Sequence, residues 1–170
     1  FGKDRAGNFE NLQELSRKYG FFLEKEVVFE EDDVNVSSTK IRNALAVGNI
    51  TTVNRFLGYP YSITGKVVNG HRLGHTIGFP TANIGVYAVK VLIGTQIFNG
   101  MLNIGIRPTV SDDGRVSCEV YIFDFNRNIY GETISIHFIT RIRGERKFND
   151  IEELRTQLQK DQEKIFKILE

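Results

Sequence analysis

Thr81 and Asn83 are two hard oxygen donors spaced two residues apart, directly behind Pro80. On an extended backbone such side chains point the same way, so the hydroxyl and the amide oxygen can reach one cation. Pro80 fixes its own φ and presents the following residues rigidly. Gly65, Gly70, Gly74 and Gly78 approach the pair at short intervals. Glycine lets backbone N–H groups come close to a ligand. A loop of this kind suits Mg²⁺-bound polyphosphate. It is not Gly-x-x-x-x-Gly-Lys-Ser/Thr, nor a dinucleotide fingerprint opening a helix. Glycine spacing alone fits a plain β-turn equally well. The Pro80-fixed pairing of Thr81 with Asn83 favours the ligand reading.

Glu119 lies in Cys118-Glu119-Val120-Tyr121-Ile122-Phe123, a strand-like run in which it shares a face with Tyr121. Two readings stand. It is a solvent-facing carboxylate, which strand pattern alone favours, or a general base that takes a hydroxyl proton during phosphoryl transfer. Arg107, in Asn103-Ile104-Gly105-Ile106-Arg107-Pro108-Thr109, is a phosphate contact or a surface charge beside a turn. Arg141, Arg143, Arg146 and Lys147 gather near Phe148 and read as a solvated strand end or a binding cluster. Ser37-Ser38-Thr39-x-x-Arg42 places hydroxyls and a cation at a helix start, where backbone N–H groups favour an anion; simple N-capping explains the same residues. Phe1-Gly2-Lys3 with Gly7 is a weak candidate phosphate loop. His71, His75 and His137 show no zinc spacing with Cys118. Cys118 has no evident activating base.

The elements that must position these residues change texture along the chain. Residues 1 to about 57 read helix, strand, helix, helix. Asn8 caps a helix striped by Leu12, Leu15 and Tyr19 and ended by Gly20; Phe21 to Phe29 is a strand-like run; Glu30 to Asp33 is an acidic loop. A helix follows Ser37-Ser38-Thr39 and stops at Gly48, and a short one ends at Gly58. Alternating α and β elements point to a parallel α/β unit, though one strand is too few to complete it. From Tyr61 the texture is β. Strands are expected at Tyr61–Val68, Val86–Ile93, Gln96–Ile104, Val116–Phe123 and Thr133–Ile142, the signature of a small antiparallel barrel. Asn99-Gly100 is a further hairpin signal that would cut one of these strands. A last helix starts at Asn149 or Asp150 with a capping box, and Ile151, Leu154, Leu158, Ile165 and Leu169 form its apolar stripe.

Composition excludes several classes. The 170 residues are 41% hydrophobic and 25% charged, ordinary globular values, with a net charge of +1 that gives no bulk electrostatic basis for nucleic acid or an anionic membrane. One cysteine forms no intrachain disulfide, which fits a reducing cytoplasm. No apolar run is long enough to span a bilayer. Nothing in the composition sets an oligomeric state.

In order, these motifs resemble the bacterial bifunctional riboflavin kinase/FMN adenylyltransferase family, the FAD synthetases. The kinase resemblance runs from about Leu57 to Glu170. It rests on Leu57-Gly58-Tyr59-Pro60-Tyr61, Gly78-Phe79-Pro80-Thr81-Ala82-Asn83, Gly85-Val86-Tyr87, Asn103-Ile104-Gly105-x-Arg107-Pro108-Thr109, Glu119 with Phe123-Asp124-Phe125, Tyr130-Gly131, Arg143-x-Glu145-x-Lys147-Phe148 and Asp161. Phe1-Gly2-Lys3 to Gly7 and Val36-Ser37-Ser38-Thr39-x-Ile41-Arg42 resemble the end of the adenylyltransferase domain.

The resemblance implies an α+β chain. Residues 58–170 would be a Greek-key β-barrel kinase domain with a C-terminal helix, and residues 1–57 an incomplete Rossmann-like nucleotidyltransferase fragment. It implies riboflavin and ATP as substrates, FMN and ADP as products, FAD from the full bifunctional parent, and Mg²⁺ held by Thr81 and Asn83. Gly65, Gly70, Gly74 and Gly78 would shape the phosphate loop. Glu119 would be the base, Arg143 would lie near the flavin, and Ser37, Ser38, Thr39 and Arg42 would contact ATP phosphates. A non-catalytic flavin-binding barrel is the competing expectation. Two departures stand out. The family's His-x-Gly-His phosphate motif is absent, so the written residues are not expected to transfer adenylyl groups. Ile84 also runs straight into Gly85 where the family has a connecting segment. That join, like the opening at Phe1, is expected to mark residues missing from the sequence.

Overall fold

A computed structural model describes residues 8–25, 30–31, 34–68, 85–106 and 116–170. The chain divides into two compact units, Phe1–Asn35 and Val36–Glu170.

In the first unit, α1 (Phe9–Tyr19) starts where the Asn8 side chain accepts from the Asn11 N–H and stops at Gly20 in a left-handed conformation. This is the expected cap pair. α1 buries no residue. The strand expected over Phe21 to Phe29 does not form across Phe21–Lys25, which is irregular; its remaining residues lie outside the described ones. The described strands here are β1 (Glu30–Glu31) and β2 (Val34–Asn35), an antiparallel pair. No parallel ladder occurs among the described residues, so the Rossmann-like fragment is not seen.

The second unit opens with α2 (Ser38–Ala46) and α3 (Ile50–Leu57), which belong to the same unit as the sheet. The sheet comprises β3 (Ser62–Lys66), β4 (Gly85–Ile93), β5 (Gln96–Ile106), β6 (Val116–Ile122) and β7 (Thr133–Arg143), in the spatial order β3-β7-β4-β5-β6, all antiparallel. Three consecutive strands, β4 to β6, form a meander, and β7 returns beside the first of them, which is a Greek key. No ladder joins β3 to β6 among the described residues, so the sheet is a half-barrel. Asn99-Gly100 is no hairpin: both residues run inside β5 opposite Lys90 and Val89.

Strand alternation sends side chains to two cores. Tyr87, Val89, Val91, Leu102, Ile104, Ile134, Ile136 and Phe138 fill the inner one, with Tyr87 edge-on to Phe138 at 5.3 Å. Ala88, Phe123, Ile165 and Leu169 form the second, under α4 (Ile151–Leu169). The capping box holds: Glu153 N–H donates to Asp150 Oδ1, and its carboxylate accepts from Asn149 N–H. The expected stripe needs correcting. Ile151 is 76% exposed and Leu158 37% exposed, whereas Asp161 is buried between them and Ile165. Ile151 occupies the exposed first turn of α4, and Asp161 takes an inward position because Arg143 meets it there. No helix of the described residues is long and apolar enough to cross a membrane.

Two irregularities in the β4–β7 ladder decide where the arginines go. Pairing shifts between Val86↔Arg143 and Tyr87↔Arg141, and again between Ala88↔Thr140 and Val89↔Phe138. Each shift leaves one extra residue on β7, Ile142 and Ile139, and a bulge re-aims the residues after it. In a regular strand Arg141 and Arg143 would share a face. Here Arg141 is level with Tyr87 and Arg143 with Val86, on opposite faces.

Candidate active site

Glu119 projects from β6 into solvent opposite Asn103 of β5, one residue before the apolar Val120. Tyr121, on the same face, is also exposed. Beside this strand lies a cleft of about 270 Å³, lined by Val67 after β3, Val120 and Tyr121 on β6, and Phe125 and Tyr130 beyond it. Asp124 turns the chain out of β6 with φ at 52°, a left-handed value that aspartate tolerates. Phe125 is then braced edge-on by Phe98 at 5.1 Å, with the Arg127 guanidinium 5.7 Å over its ring. The result is a largely apolar cleft with an aromatic wall, to which Arg127 and Asn128 also contribute. Residue-type reasoning missed it because its walls come from three separated stretches; the run of aromatics from Tyr121 to Phe125 was the available signal.

A polar group gathers on the neighbouring strand. Ser117 Oγ donates to the Gly105 carbonyl at 3.3 Å. Where a side chain at Gly105 would sit are the Glu145 carboxylate, the Asn103 amide and the Ser117 hydroxyl, at 3.3, 3.6 and 3.8 Å. Glu145 comes from the segment leaving β7, and its carboxylate approaches β5 at Gly105, two register pairs from Asn103↔Glu119.

Arg143 is fixed rather than free. Its Nε donates to Asp161 Oδ2 at 2.8 Å, and Gln157 donates to the other carboxylate oxygen at 2.9 Å. Asp161 is 3% exposed. A buried carboxylate needs a partner of this kind to stay charged. Phe148 then receives two cations, Arg143 at 5.6 Å and Arg146 at 5.4 Å, and Arg146 pairs with Glu153. Asp161 had one sequence signal: it is a carboxylate in step with Ile165 and Leu169 on the apolar stripe.

The other expected site residues fare differently. Gly65 sits in β3 opposite Ile134 with open space around it, so no described atom requires a glycine there. Ser37 is the N-cap of α2, its Oγ accepting from Lys40 N–H at 3.3 Å; Ser38, Thr39 and Arg42 are exposed. Gly70, Gly74, Gly78, Thr81 and Asn83 lie outside the described residues, as does Arg107. The structure thus places Glu119 opposite Asn103 and next in sequence to Val120 of the cleft wall, and Glu145 nearer the Gly105–Ser117 pair, with Arg143 at the root of the segment that carries Glu145. No cluster of three His, Cys, Asp or Glu that could hold a metal occurs among the described residues. Burial first, then the negative charge of Glu119, pushes the Cys118 thiol up to about 11, which removes it as a nucleophile at neutral pH.

Comparison with known proteins covers most of the chain. Residues 57–169 match the family model described as riboflavin kinase, the flavokinases. The bifunctional riboflavin kinase/FMN adenylyltransferase of Haemophilus influenzae is 44% identical over 174 residues, covering 96% of this chain and 56% of its own. The Bacillus subtilis protein of the same name is 39% identical over 181 residues, covering 98% and 57%. A Streptococcus pneumoniae crystal structure described as a macrolide-efflux protein superposes with a TM-score of 0.68 at 38% identity, over 80% of this chain and 48% of that one. The chain therefore spans about half the length of the curated relatives it matches. The family match begins at the last residue of α3 and runs through the half-barrel to the last turn of α4, which contains the cleft, Glu119 and the Arg143–Asp161 pair; the chain belongs to the riboflavin kinase family.

Proposed function

We propose that this chain transfers the γ-phosphoryl group of ATP to the ribityl 5′-hydroxyl of riboflavin, giving FMN and ADP. It would do so as the kinase part of a bifunctional protein that also joins FMN and ATP into FAD and pyrophosphate. The observation that carries this reading is Glu119, an exposed carboxylate next in sequence to Val120 of the cleft wall, inside the stretch that matches the family.

In the proposed reaction the substrate oxygen bonds to the γ-phosphorus, the bond to the β-phosphate oxygen breaks, and ADP leaves. Glu119 accepts the hydroxyl proton. Little covalent work falls to the protein, so positioning and charge stabilisation supply most of the rate. The cleft offers a slot for a planar base or ring. Thr81 and Asn83 supply hydroxyl and amide oxygens, the donor class Mg²⁺ prefers, and would hold it with ATP phosphates. Gly65, Gly70, Gly74 and Gly78 would line the phosphates, and Arg143 would face the flavin. Residues 58–170 would be the kinase domain. Residues 1–57 would close the adenylyltransferase domain, with Ser37, Ser38, Thr39 and Arg42 toward its ATP.

The test is FMN formation from riboflavin and MgATP, followed chromatographically, in wild type and Glu119→Gln. Loss of a general base costs about 10²- to 10⁴-fold. We expect kcat to fall in that range while riboflavin affinity, read by flavin fluorescence, changes less than about threefold. Full turnover in Glu119→Gln would remove Glu119 from the reaction. Tight flavin binding without turnover in the wild type would make the chain a binding module.

A further inference from the structure

Arg141 lies in a slot made by two glycines from different parts of the chain. On one side is the turn that joins α2 to α3. There Arg141 Nη1 donates to the Val47 carbonyl at 3.2 Å. A Cβ on Gly48 would stand 2.9 Å from the same nitrogen and 3.1 Å from Cδ. On the other side is the first residue of β4. A Cβ on Gly85 would stand 3.1 Å from Arg141 Nε and would overlap the Arg143 carbonyl. Gly48 and Gly85 have φ values of 71° and 153°, so both backbones also exclude ordinary side chains. The bulges at Ile139 and Ile142 put Arg141 on this face, away from Arg143.

We propose that Arg141 is a positioning residue, a strut that makes the α2–α3 turn and the start of β4 one mechanical piece. α2 has Ser37 as its N-cap, Ser38 and Thr39 in its first turn and Arg42 at its middle. Resting on the proposed function, the strut joins α2, whose residues are assigned to the adenylyltransferase ATP, to β4 of the kinase sheet. A change at one is felt at the other, and the coupling is reciprocal. The strut itself does not depend on which ligands bind.

The experiment compares Gly48→Ala with Gly58→Ala in the full 170-residue chain. Gly58 has the same left-handed φ, 76°, but nothing within 4 Å of its Cβ position. Both variants therefore carry similar backbone strain, and only Gly48→Ala displaces Arg141. Amide hydrogen exchange is read at residues 85–92 without ligand. We expect Gly48→Ala to speed exchange there by about tenfold and Gly58→Ala to leave it within about twofold, the range of local packing effects. In an Arg141→Ala background the effect of Gly48→Ala on β4 should vanish, since the cycle isolates the shared contact. Equal effects of the two glycine variants, or an effect that persists without Arg141, would overturn the strut. Should Gly48→Ala not fold, Arg141→Ala decides alone: faster exchange at both 43–50 and 85–92 supports the proposal, and a change at one site only sinks it. Kinetics form a second arm. Gly48→Ala should raise the KM for MgATP severalfold with kcat within twofold, which general destabilisation would not do; an unchanged KM overturns the link to ATP. If wild type makes no FMN, the proposed function fails while the exchange pattern still decides the strut.

Discussion

Cys118 and Glu119 are neighbours on β6 with opposite environments. Cys118 packs against the inner core; Glu119 faces water. The thiol keeps its proton to about pH 11 because burial disfavours the thiolate and Glu119 adds a like charge. Alkylation by iodoacetamide should therefore be slow at pH 7.5 and accelerate toward pH 11, a profile read by mass spectrometry; rapid labelling near pH 8.5 would contradict the burial. The same shift has a stability sign. Below about pH 9 both folded and unfolded chains hold the proton. Between about 9 and 11 only the folded chain does, so the thiol's contribution is lost as pH rises through that window. Tyr61 and Tyr87, also raised by burial, act in the same direction. Residue types alone made Glu119 a candidate and left its role open. A strand carboxylate on the polar face looks the same whether or not a cleft lies beside it.

The elements were legible to within a residue or two where alternation and turn signals were strong. The strands expected at Val86–Ile93, Gln96–Ile104, Val116–Phe123 and Thr133–Ile142 appear as β4 to β7 with small changes at their ends. The bulges were not legible. Ile139 and Ile142 are apolar and pack toward α4, and a period-two reading of β7 cannot tell which residue is extra. Nor did sequence reveal how α3 is stitched down. Asn54 donates to the Phe138 carbonyl at 2.8 Å and accepts the Tyr61 N–H at 2.7 Å, so one side chain joins α3, the run into β3, and β7. Asn54→Ala leaves both backbone groups without that partner. We expect it to cost about 1–3 kcal/mol in urea unfolding, the usual penalty for orphaned, partly buried polar groups; a loss under about 0.5 kcal/mol would show that water replaces the amide.

At the scale of the molecule, the two units differ in how much holds them. α1 buries nothing, while the sheet has two cores. Lys25 is exposed in an irregular stretch of the first unit. Trypsin under native conditions should cut there first and leave a resistant fragment keeping β3 to β7 and α4, as exposed irregular segments are the usual nicking sites. Its Tm should lie within about 3 °C of the intact chain. A drop of about 10 °C would mean that residues 1–25 stabilise the sheet. The half-barrel was readable from sequence because each strand has its own alternation and turns. A parallel α/β reading of residues 1–57 was not supported among the described residues, because helix–strand alternation says nothing about which strands pair. The Greek key has one more consequence, for the order in which the chain is made. Among the described residues β3 pairs only with β7, Ser62 meeting His137 and Lys66 meeting Thr133. During synthesis the β4–β6 meander can pair as it emerges, but β3 must wait, its ladder groups open, until the last strand leaves the ribosome. The nascent chain therefore carries an unsatisfied strand until Thr133–Arg143 has emerged, and β7, slotting between β3 and β4, is the step that completes the sheet.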